Sequence, residues 1–76
     1  MHPRHSRDDA RKAKLAAAAR FYDDADVTSV GIGMTADRSD YAVTITVASA
    51  RALKRMPVSI LNVPTRVELV GETIAF

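Results

Sequence analysis

Tyr41-Ala42-Val43-Thr44-Ile45-Thr46-Val47-Ala48 is the stretch that decides the fold class. Tyr41, Val43, Ile45 and Val47 alternate with Ala42, Thr44, Thr46 and Ala48. Successive side chains of a strand point to opposite faces, so this period of two marks a β-strand with one apolar face. Val27–Met34 repeats the rhythm, with Val30, Ile32 and Met34 alternating with Ser29, Gly31 and Gly33. The polar run Ala36-Asp37-Arg38-Ser39-Asp40 between them is a turn, and the pair is expected as an antiparallel hairpin. The glycine face of the first strand lacks bulk. Close approach of an alanine-rich N-terminal helix is expected there.

That helix is expected over about residues 7–22. Ala10, Ala13, Ala17 and Phe21 recur at helical spacing, as do Leu15, Ala18 and Tyr22. Alanine has high helix propensity, and small side chains let a helix lie close to a sheet. Ser6 is the expected N-cap, with Asp9 three residues on completing a capping box. Asp8 and Asp9 complement the helix dipole in the first turn. Asp23-Asp24-Ala25-Asp26 opposes the dipole at the other end and reads as a turn.

After the second strand, Ser49 to Met56 forms a short helical turn capped by Ser49 and stopped by Pro57. Val58–Asn62 is a short extended piece or a connecting loop. Pro64 forces Val63 towards extended geometry. Thr65–Val70 is a third strand, Gly71-Glu72 a turn, and Thr73–Phe76 a final short strand. The expected fold is α+β, with an N-terminal helix packed on a mainly antiparallel sheet of about four short strands. Its topology is α-β-β-(short helix or loop)-β-β. Residues 1–6 are expected as a flexible basic arm and residues 7–76 as a single small domain.

Seventy-six residues bound the chain to one domain of modest stability. It has no cysteine, so neither a disulfide nor a thiolate metal site strengthens it. That composition, with no membrane-length apolar run and no signal-peptide h-region, is read as cytoplasmic. Net charge is +2 overall. Residues 1–20 carry a net of +4 and residues 21–76 a net of −2, a polarity that suits either docking of an acidic partner or solubility alone.

Val30-Gly31-Ile32-Gly33, Tyr41–Val47, Pro57, Ile60, Asn62-Val63-Pro64-Thr65 and Val70-Gly71 together carry a family resemblance. The chain resembles, over about residues 15–76, the small non-catalytic domain that precedes the peptidase in a group of bacterial trypsin-like serine proteases. In that family a glycine or similar turn residue usually stands where this chain has Asn62. No peptidase follows within these residues, and no Gly-x-Ser-x-Gly motif is present. His2 and His5 are the only histidines, so no Ser–His–Asp triad is expected. The resemblance implies a stand-alone relative of a protease-associated domain, without proteolytic activity.

Several groups invite chemistry. Gly31-Ile32-Gly33 lacks the third glycine and the following helix of a dinucleotide fingerprint, and Ala36 stands at the third position. Close backbone packing or a bulge is the expected role, with no cofactor. Asp23, Asp24 and Asp26 lack the glycine and closing glutamate of an EF-hand loop, and no metal site is expected there. His2 and His5 sit in the arm without partners to orient them. A site assembled between subunits from Arg38, Asp40 and Tyr41 is the remaining enzymatic reading, and no catalytic residue is assigned.

The candidate interaction surface is basic and apolar. Arg4, Arg7, Arg11 and Lys14 fall on one side of the first helix, and Arg51, Lys54 and Arg55 form a second cluster. Ile74 and Phe76 end an uncharged strand at a sheet edge, where unpaired backbone groups recruit another strand. The first functional expectation is a non-enzymatic interaction module, binding a partner protein or itself as a homodimer. The second is a small nucleic-acid-binding protein that uses the basic helix, although no aromatic or base-reading motif accompanies the cations.

Overall fold

A computed structural model describes residues 5–70. The chain runs α1 (Arg7–Arg20), β1 (Val27–Met34), β2 (Tyr41–Val47), α2 (Ala50–Arg55), β3 (Ser59–Ile60) and β4 (Val63–Leu69). The four strands form one sheet in the order β1-β2-β4-β3. The fold is therefore α+β, with the N-terminal helix on the sheet as expected. The strand expected at Thr73–Phe76 lies outside the described residues.

α1 begins as its sequence dictates. The Ser6 hydroxyl accepts from the Asp9 N–H at 3.0 Å, and the Asp9 carboxylate accepts from the Ser6 N–H at 3.0 Å. This reciprocal box satisfies two backbone donors that a helix start leaves unpaired. Ala10, Ala13 and Ala17 are fully buried along one side, and Phe21 closes the stripe just past the helix. The second stripe faces outward, with Leu15 60% and Tyr22 85% exposed.

β2 lies in the middle of the sheet, and Val43, Ile45 and Val47 are wholly buried. β1 pairs with it antiparallel, β4 pairs with it parallel, and β3 pairs antiparallel with β4. Antiparallel contacts are thus two of the three, and the central one is parallel. A parallel neighbour needs a crossover of about a dozen residues or more. Residues 48–62 supply it, with α2 capped by the Ser49 hydroxyl, which accepts from the Ala52 N–H at 3.2 Å. Ala52 and Met56 of this connection join Ala13, Ala17, Phe21, the β2 valines and isoleucine, Ile60 and Val63 in one core cluster.

The glycines do not face α1, contrary to the sequence-based expectation. Val30 packs against the core cluster, so its alternation partners Gly31 and Gly33 lie on the opposite face. Their missing bulk is filled by Thr44 of β2. A Cβ at Gly33 would stand 2.8 Å from Thr44 Cγ2, and one at Gly31 would stand 3.0 Å from Thr44 Oγ1. The close packing expected of these glycines is present, with a threonine side chain in place of a helix. The bulge lies elsewhere: register slips between Val27 and Ser29, leaving Thr28 as the extra residue. The slip lets both Val27 and Val30 pack against the core.

β3 and β4 meet through a two-residue turn, Leu61-Asn62, flanked by the pair Ile60↔Val63. Both turn residues are left-handed, with φ of 50° and 67°. This is the backbone of a type I′ hairpin, whose twist matches that of the strands it joins. Asn tolerates that conformation; leucine does so at a cost. Pro64 follows at the start of β4, and pairing with β2 begins only at Thr65.

Candidate interaction surfaces

β1 is the long edge of the described sheet. Among the described residues no strand lies on its outer side. The opposite edge, β3, is only two residues long, one of the ways native sheets blunt an edge. Val27–Met34 contains no Lys, Arg, Asp, Glu or Pro to blunt it. Its hydrogen-bond phase follows from the hairpin end, where the Thr35 N–H donates to the Asp40 carbonyl at 2.9 Å. Bonded and non-bonded pairs alternate along an antiparallel ladder. Ser29, Gly31 and Gly33 therefore turn their backbone groups to β2, while Val30 and Ile32 turn theirs outward. The Met34 carbonyl is claimed from within, by Arg66 Nη1 at 3.5 Å. Ile32 stays 39% exposed, although its pairing partner Val43 is fully buried. The apolar layer runs out past its own cover at this edge.

The basic residues separate into two kinds. Arg7 and Arg11 are exposed on α1 and Lys14 is half-buried beside them. Arg11 meets Asp8 at 4.0 Å, a geometry worth little when so exposed. No ion pair holds Arg7 or Lys14 among the described residues. Arg20 stacks over the Phe21 ring at 5.3 Å. On α2, Arg51 and Lys54 are exposed, but Arg55 is committed internally. Its Nη1 lies 2.7 Å from Asp24 Oδ2, its Nη2 donates to Asp24 Oδ1 at 2.9 Å, and Asp26 Oδ2 is 3.4 Å away. The guanidinium beside Asp24, with the Asp26 N–H, holds that carboxyl below its ordinary range. Arg55 is raised in turn by Asp24. Arg4, Ile74 and Phe76 lie outside the described residues.

The aspartates between α1 and β1 are thus a clasp. Asp24 Oδ1 also accepts from the Asp26 N–H at 3.0 Å, which shapes the turn. No cluster of three or more metal-ligating side chains occurs among the described residues. Of the residues considered for an enzymatic site, Asp40 is deeply buried at 4% exposure. It accepts from the His5 N–H at 3.0 Å and the Tyr41 N–H at 2.8 Å, and His5 Nδ1 lies 2.7 Å from its Oδ2. Burial pushes the Asp40 carboxyl up, but the His5 and Tyr41 hydrogen bonds outweigh it and the net shift is downward. His5, assigned to the arm by its sequence position, therefore belongs to the folded body. No local signal announces this, since the two partners are 35 residues apart. Arg38 sits at φ 61° in the β1–β2 turn. Beside it Asp37 Oδ1 accepts from the Thr35 hydroxyl at 2.7 Å, the Ser39 hydroxyl at 2.7 Å and the Ser39 N–H at 3.0 Å. Those donors lower Asp37 to about 2. They knit the turn to itself, and the Thr35 hydroxyl also accepts from the Asp40 N–H at 3.3 Å, leaving the Asp40 carboxylate to His5 and Tyr41.

No described helix is long and apolar enough to cross a membrane. No family model matches the chain, and no curated protein or solved structure matches it either.

Proposed function

We propose that this chain is a non-enzymatic protein-interaction module, related to the domain that accompanies bacterial trypsin-like serine proteases. The observation that carries the reading is the β1 edge: eight residues, uncharged throughout, with outward backbone groups at Val30 and Ile32. Strand addition at such an edge supplies affinity through main-chain hydrogen bonds and selectivity through alternate side chains. The exposed Leu15 and Tyr22 on α1 offer a second apolar contact. A cytoplasmic setting is supported by the lack of cysteine. The test is capture of partners from bacterial lysate on the tagged protein, with and without nuclease, read by mass spectrometry. A discrete protein that survives nuclease supports the module, and a serine protease among them would support the kinship. Recovery of nothing but nuclease-sensitive material refutes it.

A second reading, nucleic-acid binding, is favoured by one observation. Arg7, Arg11 and Lys14 share a side of α1, and two of them lack an ion-pair partner among the described residues. Phosphate contacts release counterions, so binding must weaken steeply with salt. Affinity for duplex or single-stranded DNA that is unchanged between low and moderate salt contradicts it.

A further inference from the structure

The β1 edge reads as a site for a second copy of this chain. We infer that two copies pair antiparallel along β1 about a two-fold axis at Gly31, giving one continuous sheet. This deepens the interaction-module reading and rests on it.

Three features single out that occupant. The first is phase. An added strand must meet the outward groups of Val30 and Ile32, because the Met34 carbonyl already takes Arg66. A two-fold at Gly31 places Val30 against Ile32 of the second copy and Ile32 against its Val30, so both outward residues bond in both copies. The second is self-complementarity. Val30-Gly31-Ile32 alternates in bulk identically in either direction. On the helix-bearing face apolar side chains meet apolar ones, and Ile32, 39% exposed in one copy, gains its missing cover. On the other face Gly31 meets Gly31 and Ser29 meets Gly33, with no bulk to hold the strands apart. The third is charge. The edge has none, so two copies bring no like charges together there. Pairing two basic α1 faces would do the opposite. A two-fold isologous contact of this kind closes on itself and stops at the dimer.

An edge contact is smaller than the roughly 800 Å² per partner of a standard stable interface, so a dissociation constant of about 10–100 µM is expected. The test is sedimentation velocity of the full chain from about 5 µM to about 500 µM, a range that brackets that constant. Amide exchange at Val30 and Ile32 is followed by NMR over the same range. The expected result is a monomer-to-dimer shift, with exchange at those two amides slowing as dimer forms. Ile32→Lys puts a charge on the edge and should remain monomeric throughout with an unchanged circular dichroism spectrum. The exchange measurement on the unaltered chain stands even if that variant unfolds. A monomer at every concentration with fast-exchanging Val30 and Ile32 amides overturns the proposal. So does a dimer that leaves those amides unprotected, because the contact is then elsewhere. If the chain stays monomeric yet captures a discrete protein that Ile32→Lys does not, the second copy is refuted and the module reading stands. If capture is lacking as well, both fall.

Discussion

Replacing Leu61 should leave stability nearly unchanged when the new residue tolerates a left-handed backbone, and should lower it otherwise. Leu61 and Asn62 occupy the two central positions of the β3–β4 turn at φ 50° and 67°. An L-residue with a Cβ is strained there by roughly 1–2 kcal/mol, and Asn escapes part of that by local hydrogen bonding. Leu61 is 63% exposed, so about a third of its side chain is in contact with the fold. Removing that contact costs roughly 0.5–1 kcal/mol, a third of the value of a fully buried leucine. Leu61→Asn thus combines strain relief with a modest contact loss, while Leu61→Ala loses the contact and keeps the strain. The difference between the two variants should be about 1 kcal/mol in favour of Asn, which corresponds to roughly 4–8 °C in melting temperature for a domain this small. Thermal melts by circular dichroism, with urea titrations at fixed temperature, measure it directly. If Leu61→Ala equals or exceeds Leu61→Asn, side-chain contact and not backbone strain governs the turn, and the type I′ argument is wrong.

Gly33→Ala should destabilise by about 1–2 kcal/mol, because its Cβ would meet Thr44 Cγ2 at 2.8 Å. Thr44→Ser, which removes that methyl, should recover most of the loss in a double-mutant cycle followed by urea unfolding. Ile45→Ala, at the fully buried centre of β2, should cost about 3–4 kcal/mol. The whole domain is stabilised by only roughly 4–11 kcal/mol, so its melting temperature should fall by far more than that of any surface variant.

The sequence legibility of this fold divides at the range of the interaction. α1 with its capping box, the Ser49 cap of α2 and the β1–β2 hairpin each rest on residues within a few positions of one another, and each is where the pattern put it. The bulge at Thr28 went unread: Val27 is one step out of phase with Val30, and an extra residue between them lets both pack against the core. The side of β1 that meets the helix was misread, because the apolar residues and not the glycines demand cover. Bare glycines suggest a helix only when nothing else can fill the space, and Thr44 on the adjacent strand fills it. The parallel pairing of β4 with β2 turns on the length of the connection, not on either strand, whose alternation is the same in both orientations. The surfaces were least legible. Arg51, Lys54 and Arg55 look alike in sequence, yet only Arg55 reaches an aspartate in another loop. Charge has no periodicity to say which partner it will find.

The two long-range clasps share a mechanical role that bears on the chain's behaviour in acid. His5–Asp40 ties the start of α1 to the hairpin end of the sheet, and Arg55–Asp24 ties the loop beyond α1 to the end of α2. They join residues 35 and 31 positions apart in a chain without cysteine, where another small domain would place disulfides. Both depend on an ionised aspartate whose carboxyl is held below the ordinary carboxylate range. Asp9, in the capping box, is lowered too, by its Ser6 hydrogen bonds. A carboxyl depressed in the folded state contributes stability that is complete above its unfolded value and is lost as pH falls through its folded one. The stability these carboxylates contribute should therefore be complete at neutral pH and decline below about pH 4. The loss should be uneven. Asp9 and Asp40 act at the start of α1 and Asp24 in the loop beyond it, whereas the sheet is held mainly by apolar side chains and backbone ladders. Asp37 in the β1–β2 turn, lowered to about 2, gives way only at lower pH. Native-state hydrogen exchange across the decline should show α1 amides opening at lower free energy than those of β2. Asp24→Asn and Asp40→Asn should each flatten part of the pH dependence. Uniform loss of protection over helix and sheet would mean that the clasps do not act on α1 separately and that the domain opens as one unit.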